Sequence, residues 1–331
     1  MPSRPPEKSS GHLLDPAYHA LLDEAPQTWT LETLPTIRER VSVGFEPAKP
    51  LRFKEHWIHR SENDSPLRLC IYAPHGVRTD RAYPSIFYIH GGGFVLGKPE
   101  MADEQLAGLA ETMEAVVVAV DYRLAPEHSF PVPLEDCFTG LTWLIDQAES
   151  LSINPQSIVL MGHSAGGGLT AALALLARER GLPTSAGQIL VYPMLDSRTG
   201  TPKAPRNNPT TGEFAWTPDA NGFCWECLQG QQTLDPNKLG LFSPSQAADL
   251  TTLPPAFIAV GALDLFFEES LDYARSLSHA GVAVELHVYP GVTHMFDLVP
   301  SRQTANCNDA IKSALEQWWS ATKPKRSSSC L

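Results

Sequence analysis

The chain has 331 residues, 43% of them hydrophobic, which is enough to bury a sizeable core as one large domain or two ordinary ones. Its 25 basic residues stand against 37 acidic ones, a formal charge of −12, so a nucleic-acid surface or an anionic membrane would repel it. No run spans a bilayer, MPSRPPEKSSGH lacks the apolar stretch of a secretory signal, and SSSCL is no prenylation box because Cys330 is second from the end. The expectation is a cytoplasmic protein acting on a small, neutral or weakly charged molecule.

The first fifty residues are polar and proline-rich, with helical patterns at LLDPAYHALLDEA and LPTIRERVSV. From residue 55 the pattern changes to short strand-like runs: EHWIH, RLCIY, SIFYIH and AVVVAVD, then SIVLM, QILVY, AFIAV and VELHVY. Helical stretches over 133–147, 164–180, 267–279 and 306–319 separate the later ones. Continuous β-branched strands alternating with helices predict a mostly parallel sheet covered on both faces, an α/β fold. Residues 197–245, rich in Pro, Gly, Asn and Thr, read as an insertion ending in a helix near DANGFCWECLQG. The organisation expected is an N-terminal cap segment (1–54), a first core part (55–196), a cap insertion (197–245) and a second core part (246–331).

Chemistry enters at three places. FYIHGGGFVLG puts three glycines just past a buried strand, where backbone N–H groups of Gly91 and Gly92 can turn towards one point. GHSAGGG then matches G-x-S-x-G between a strand and a helix, a turn sharp enough to lift the Ser164 hydroxyl clear of the sheet at a helix N-terminus. The Ala165 N–H is the third candidate oxyanion donor. A serine needs a base and the base an orienting carboxylate. His294, in the loop after VELHVY, and Asp264, after AFIAVGAL, stand at strand ends in the order Ser, Asp, His. Asp196 is a weaker rival acid, and Glu268 and Glu269 fall in a helix and read as solvated or locally paired. His90 reads as an anchor of the glycine loop, and His163 as projecting away from substrate. Phe94, Phe214, Trp216, Leu265 and Phe266 are the weak candidates for a pocket lining.

The six cysteines are too dispersed for a disulfide scaffold. Cys224-Trp-Glu-Cys227 has metal or redox spacing, but no second ligand pair or βαβ context accompanies it, so it reads as two thiols on a buried helix face. No metal and no organic cofactor are expected.

HGGGF (90–94), DYRLAPEHSFPVPLED (121–136), GHSAGGG (162–168), GALD (261–264) and GVTHMF (291–296) together resemble the hormone-sensitive-lipase family of α/β-hydrolases. The resemblance runs from about Trp57 to the C-terminus, with the motifs in family order. It implies an eight-stranded sheet, a helical cap, and a serine carboxylesterase whose nucleophile, acid and base fall on Ser164, Asp264 and His294, with Gly91 and Gly92 as oxyanion donors. His163 stands where members often have Asp, and Leu265 to Ser270 replace the usual polar run after the acid. Asp121, Arg123 and Glu127 match the family's structural ion-pair corner. The function expected is hydrolysis of small to medium, fairly apolar esters through an acyl-enzyme. An acyltransferase, transesterase or cyclase using the same triad, or a non-catalytic receptor, are the alternatives, and a homodimer is left open.

Overall fold

The computed structural model describes residues 9–25, 27–45, 49–60 and 65–322, so Cys330 and the first eight residues lie outside it. The strand-like runs form β1 (Lys54–Ile58), β2 (Leu67–Tyr72), β3 (Tyr83–Ile89), β4 (Val116–Asp121), β5 (Ile153–His163), β6 (Gly187–Val191), β7 (Ala256–Gly261) and β8 (Val284–Tyr289). They make one sheet in the order β1-β2-β4-β3-β5-β6-β7-β8, antiparallel across β1, β2 and β4 and parallel thereafter. The helices are α1 (Leu34–Gly44), α2 (Asp103–Thr112), α3 (Val132–Asp146), α4 (Ala165–Glu179), α5 (Pro218–Gln229), α6 (Leu239–Phe242), α7 (Phe267–His279) and α8 (Arg302–Thr322).

Alternation along the central strands sends side chains into two cores. On β3, Phe87 and Ile89 join Leu141 of α3, Leu173 of α4 and Leu277 of α7 on one face. Ile86 and Tyr88 join Leu106 of α2 and Leu315 of α8 on the other. Such two-sided burial is what continuous Val/Ile/Leu strands require.

Two elements depart from the sequence pattern. LLDPAYHALLDEA forms two short 3-10 helices, Gly11–Leu13 and Pro16–Leu22, because Pro16 forces Asp15 into an extended conformation from which its side chain caps the second. The helix α2, polar and only weakly periodic, was absent from the expected elements. Among the described residues no helix is long and apolar enough to cross a membrane.

Candidate active site

Ser164 separates β5 from α4 with φ 56° and ψ −122°, a region that non-glycine residues avoid. The turn is possible because glycines flank it. A Cβ on Gly162 would stand 2.2 Å from the Gly166 carbonyl oxygen, and one on Gly166 would stand 2.1 Å from that of Ile89. The strain holds the serine hydroxyl beside the first turn of α4, where the Ala165 N–H begins the helix.

His294 and Asp264 converge on it from the last two strands. Ser164 Oγ lies 2.8 Å from His294 Nε2, and His294 Nδ1 lies 2.9 Å from Asp264 Oδ2. The other Asp264 oxygen accepts the Phe266 N–H at 2.9 Å. All three side chains are buried, Asp264 completely. With Nδ1–H donated to the carboxylate, Nε2 presents its lone pair to the serine proton, the arrangement a general base requires. Rings fix the imidazole plane: Tyr192 and Phe266 meet it edge-on at 4.7 and 5.0 Å, and Trp216 lies at 5.7 Å.

The glycine loop forms the opposite wall. His90 stacks on Tyr122 at 4.2 Å, its Nδ1 lies 2.8 Å from the Gly91 carbonyl oxygen, and the Tyr122 hydroxyl donates to the His90 carbonyl. Gly91 and Gly92 line the pocket at Ser164, and Gly92 has φ 119°, which a side chain would resist. From α1, Arg38 donates to the Val95 and Ala125 carbonyls and fastens this loop from behind.

The pocket above Ser164 measures about 80 Å³ and is lined by apolar and aromatic groups with a few polar ones. Of the five side chains expected to line it, Trp216 does so and Phe266 backs the His294 ring. Phe94, Phe214 and Leu265 do not: each is spent on packing, Phe94 against Trp225 at 5.2 Å and Leu265 against the Gly212 turn. The sequence reading missed Tyr88, Tyr192 and Asp297, all pocket-lining. Tyr192 follows β6, so its strand-end position was the available signal; Asp297, three residues past His294, had none.

Two other expectations, for His163 and Glu269, need correction. His163 does not project away but lines the pocket, its Nδ1 3.2 Å from the Tyr88 hydroxyl and its Nε2 3.4 Å from Asp297. Asp196 pairs with Arg198 at 2.6 Å. Glu269 is buried and, among the described residues, paired with no charge; it accepts the Leu195 N–H at 2.6 Å and the Thr199 hydroxyl, and burial pushes its carboxyl well above the ordinary range. Of the three residues matched to the family's ion-pair corner, Asp121 meets Arg68, Arg123 meets Asp136, and Glu127 meets Arg38. Cys224 and Cys227 are buried on α5, and burial raises both thiols above their ordinary value.

A family model described as the alpha/beta hydrolase fold matches residues 86–298. The carboxylesterase NlhH of Mycobacterium tuberculosis is 33% identical over 291 residues, 85% of this chain and 88% of that protein. An ethyl acetate hydrolase of Pseudomonas putida is 34% identical over 72% of this chain and 73% of its own. Among solved structures, one described as a bacterial heroin esterase superposes with a TM-score of 0.84 at 30% identity, covering 94% of this chain and 99% of its own.

Proposed function

We propose that this chain, which belongs to the hormone-sensitive-lipase family of α/β-hydrolases and is a serine carboxylesterase, works through Ser164, His294 and Asp264 on small to medium, fairly apolar esters. The observation that carries the assignment is the unbroken hydrogen-bonded chain from Ser164 Oγ through His294 to buried Asp264. His294 Nε2 takes the serine proton as Oγ attacks the ester carbonyl carbon, and the carbonyl electron pair moves onto oxygen. The N–H groups of Gly91, Gly92 and Ala165 stabilise that oxyanion. Collapse breaks the bond to the alcohol oxygen, which leaves with the proton from His294. Water repeats the sequence on the acyl-enzyme and frees the acid and Ser164. Asp264 keeps the ring in the productive tautomer and stabilises the imidazolium throughout.

The small pocket beside the serine favours short acyl chains, whereas a contiguous groove of about 720 Å³ has room for a larger alcohol. In this reading residues 9–45 and 197–245 act together as the cap: Trp29 packs on Trp216 and Phe223, and Ser9 and Ser10 bind Glu213. A cytoplasmic location belongs to the same reading, supported by five buried free thiols among the described residues. So does a homodimer, for which β8 offers an outer sheet edge with Leu286 and Val288 exposed.

A series of 4-nitrophenyl esters from acetate to palmitate tests this, alongside fluorophosphonate labelling of wild type and Ser164→Ala. Labelling of wild type only, with kcat/KM highest for the short acids, is expected. Turnover that stayed slow in buffer and rose on adding an alcohol or amine would reassign the chain to acyl transfer. Labelling of both proteins would remove Ser164 as nucleophile.

A further inference from the structure

Asp297 lines both the pocket above Ser164 and the larger groove that adjoins it. The charged residues along that groove are Glu100, Asp103, Glu104 and Asp297 against Arg52 alone. Each of the three carboxylates other than Asp297 has an arginine within reach, although the two arginines are shared. Arg68 binds both oxygens of Glu100, at 2.8 and 3.0 Å, and Arg52 lies on Asp103 and Glu104 at 3.6 and 3.3 Å. Asp297 has no Arg or Lys partner among the described residues. One of its oxygens accepts the Tyr192 hydroxyl at 2.5 Å; the other faces His163 Nε2 at 3.4 Å, outside hydrogen-bond geometry.

That nitrogen is itself an anomaly. The His163 side chain is 7% exposed, yet its Nε2 has no hydrogen-bond partner among the described residues. Burial lowers the affinity of the ring for a second proton, so His163 does not act as the missing counter-cation. A buried orphan nitrogen and an uncompensated carboxylate thus meet in one pocket wall, an arrangement proteins keep only where something else completes it. The rings of Tyr88, Tyr192, Trp216 and Phe45 line the same pocket. A carboxylate in a pocket walled by aromatic rings is the chemistry that holds an ammonium group.

We propose that Asp297 recognises a protonated or quaternary amine on the alcohol portion of the ester, so that the preferred substrates are cationic amino-alcohol esters. This rests on the ester-hydrolase reading above. The alcohol side is indicated because the departing oxygen takes its proton from His294 Nε2. Asp297 follows His294 by three residues and faces the groove through which that alcohol must leave. The net charge of −12 draws the same cations towards the molecule.

The test compares acetylcholine with 3,3-dimethylbutyl acetate, which has the same shape and no charge. Wild type should favour the cation in kcat/KM by about tenfold, mostly through KM. Asp297→Asn should bring that ratio close to one, whereas Tyr192→Phe, which keeps the carboxylate, should retain the preference. Tetramethylammonium should compete with 4-nitrophenyl acetate on wild type, a measurement that needs no variant. A wild-type ratio of one, a ratio unchanged in Asp297→Asn with both esters slowed alike, or no competition by tetramethylammonium overturns the proposal. Hydrolysis of 4-nitrophenyl acetate without charge preference sinks this inference alone; no hydrolysis of it at all sinks the catalytic assignment beneath it.

Discussion

Asp264 spends one oxygen on the Phe266 backbone and the other on His294, so an amide in its place would offer the ring a donor where it needs an acceptor. Asp264→Asn should therefore lower kcat on a short aryl ester by about 10⁴-fold, as should Ser164→Ala. Asp196→Asn, whose carboxylate serves Arg198, should cost far less, and an inverted order of the two Asp variants would transfer the acid's role to Asp196. Glu269 presents a different case. Burial raises its carboxyl well above 4.5, so the folded state favours the protonated form. Its contribution to stability is full below about 4.5 and is lost as pH rises through the folded-state value. Glu269→Gln keeps an acceptor for Leu195 and cannot ionise. Its melting temperature relative to wild type should climb between pH 5 and pH 9, and a pH-independent difference would show that Glu269 is ionised without penalty.

At the scale of elements, the turn between β5 and α4 works through close approach, and alanine scanning of glycines reads this directly. Gly166→Ala should cost about 2–3 kcal/mol in urea titrations, since its Cβ would collide with the Ile89 and His90 carbonyls. Gly108→Ala, inside α2 with nothing within 4 Å of the new methyl, should instead stabilise by about 0.5–1 kcal/mol. Equal effects would refute the packing account. The same elements explain what could be read beforehand. The strands announced themselves because two-sided burial demands unbroken apolar runs, and the serine turn because backbone crowding demands glycine at fixed spacing. The helix α2, which buries Asp103 while exposing Glu104 and Gly108, carries little periodic contrast. Phe94 and Leu265 were legible as apolar but not as facing away from the pocket, since facing is decided by tertiary packing. Asp297 acquires its meaning only when β5, β6 and the loop after β8 bring His163 and Tyr192 to it.

Across the whole molecule, the N-terminal segment is joined to the catalytic core at specific points. Arg38 binds the Val95 and Ala125 carbonyls and both oxygens of Glu127. Arg38 holds the Glu127 carboxyl at about 2, so that pairing is present above 4.5 and is lost only as pH falls towards 2. The acid is 56% exposed, however, so the pair itself contributes little. Arg38→Ala should cost about 2 kcal/mol by leaving the two carbonyls without a donor, and Glu127→Gln less than about 1 kcal/mol. Similar costs in chemical denaturation would assign the clamp to charge and not to the backbone. The fastening at the other end has a consequence for how the molecule is made. Tyr18 closes on the Phe296 carbonyl, 278 positions away, and Ser164 meets its base across 130. A ribosome therefore finishes the serine turn long before β7 and β8 exist, and through that interval the nascent chain carries an ordinary, unreactive alcohol. Reactivity arrives last, as the final strands dock and the earlier-made segment around Tyr18 folds down over them, so unfinished or truncated chains are chemically silent towards the esters around them.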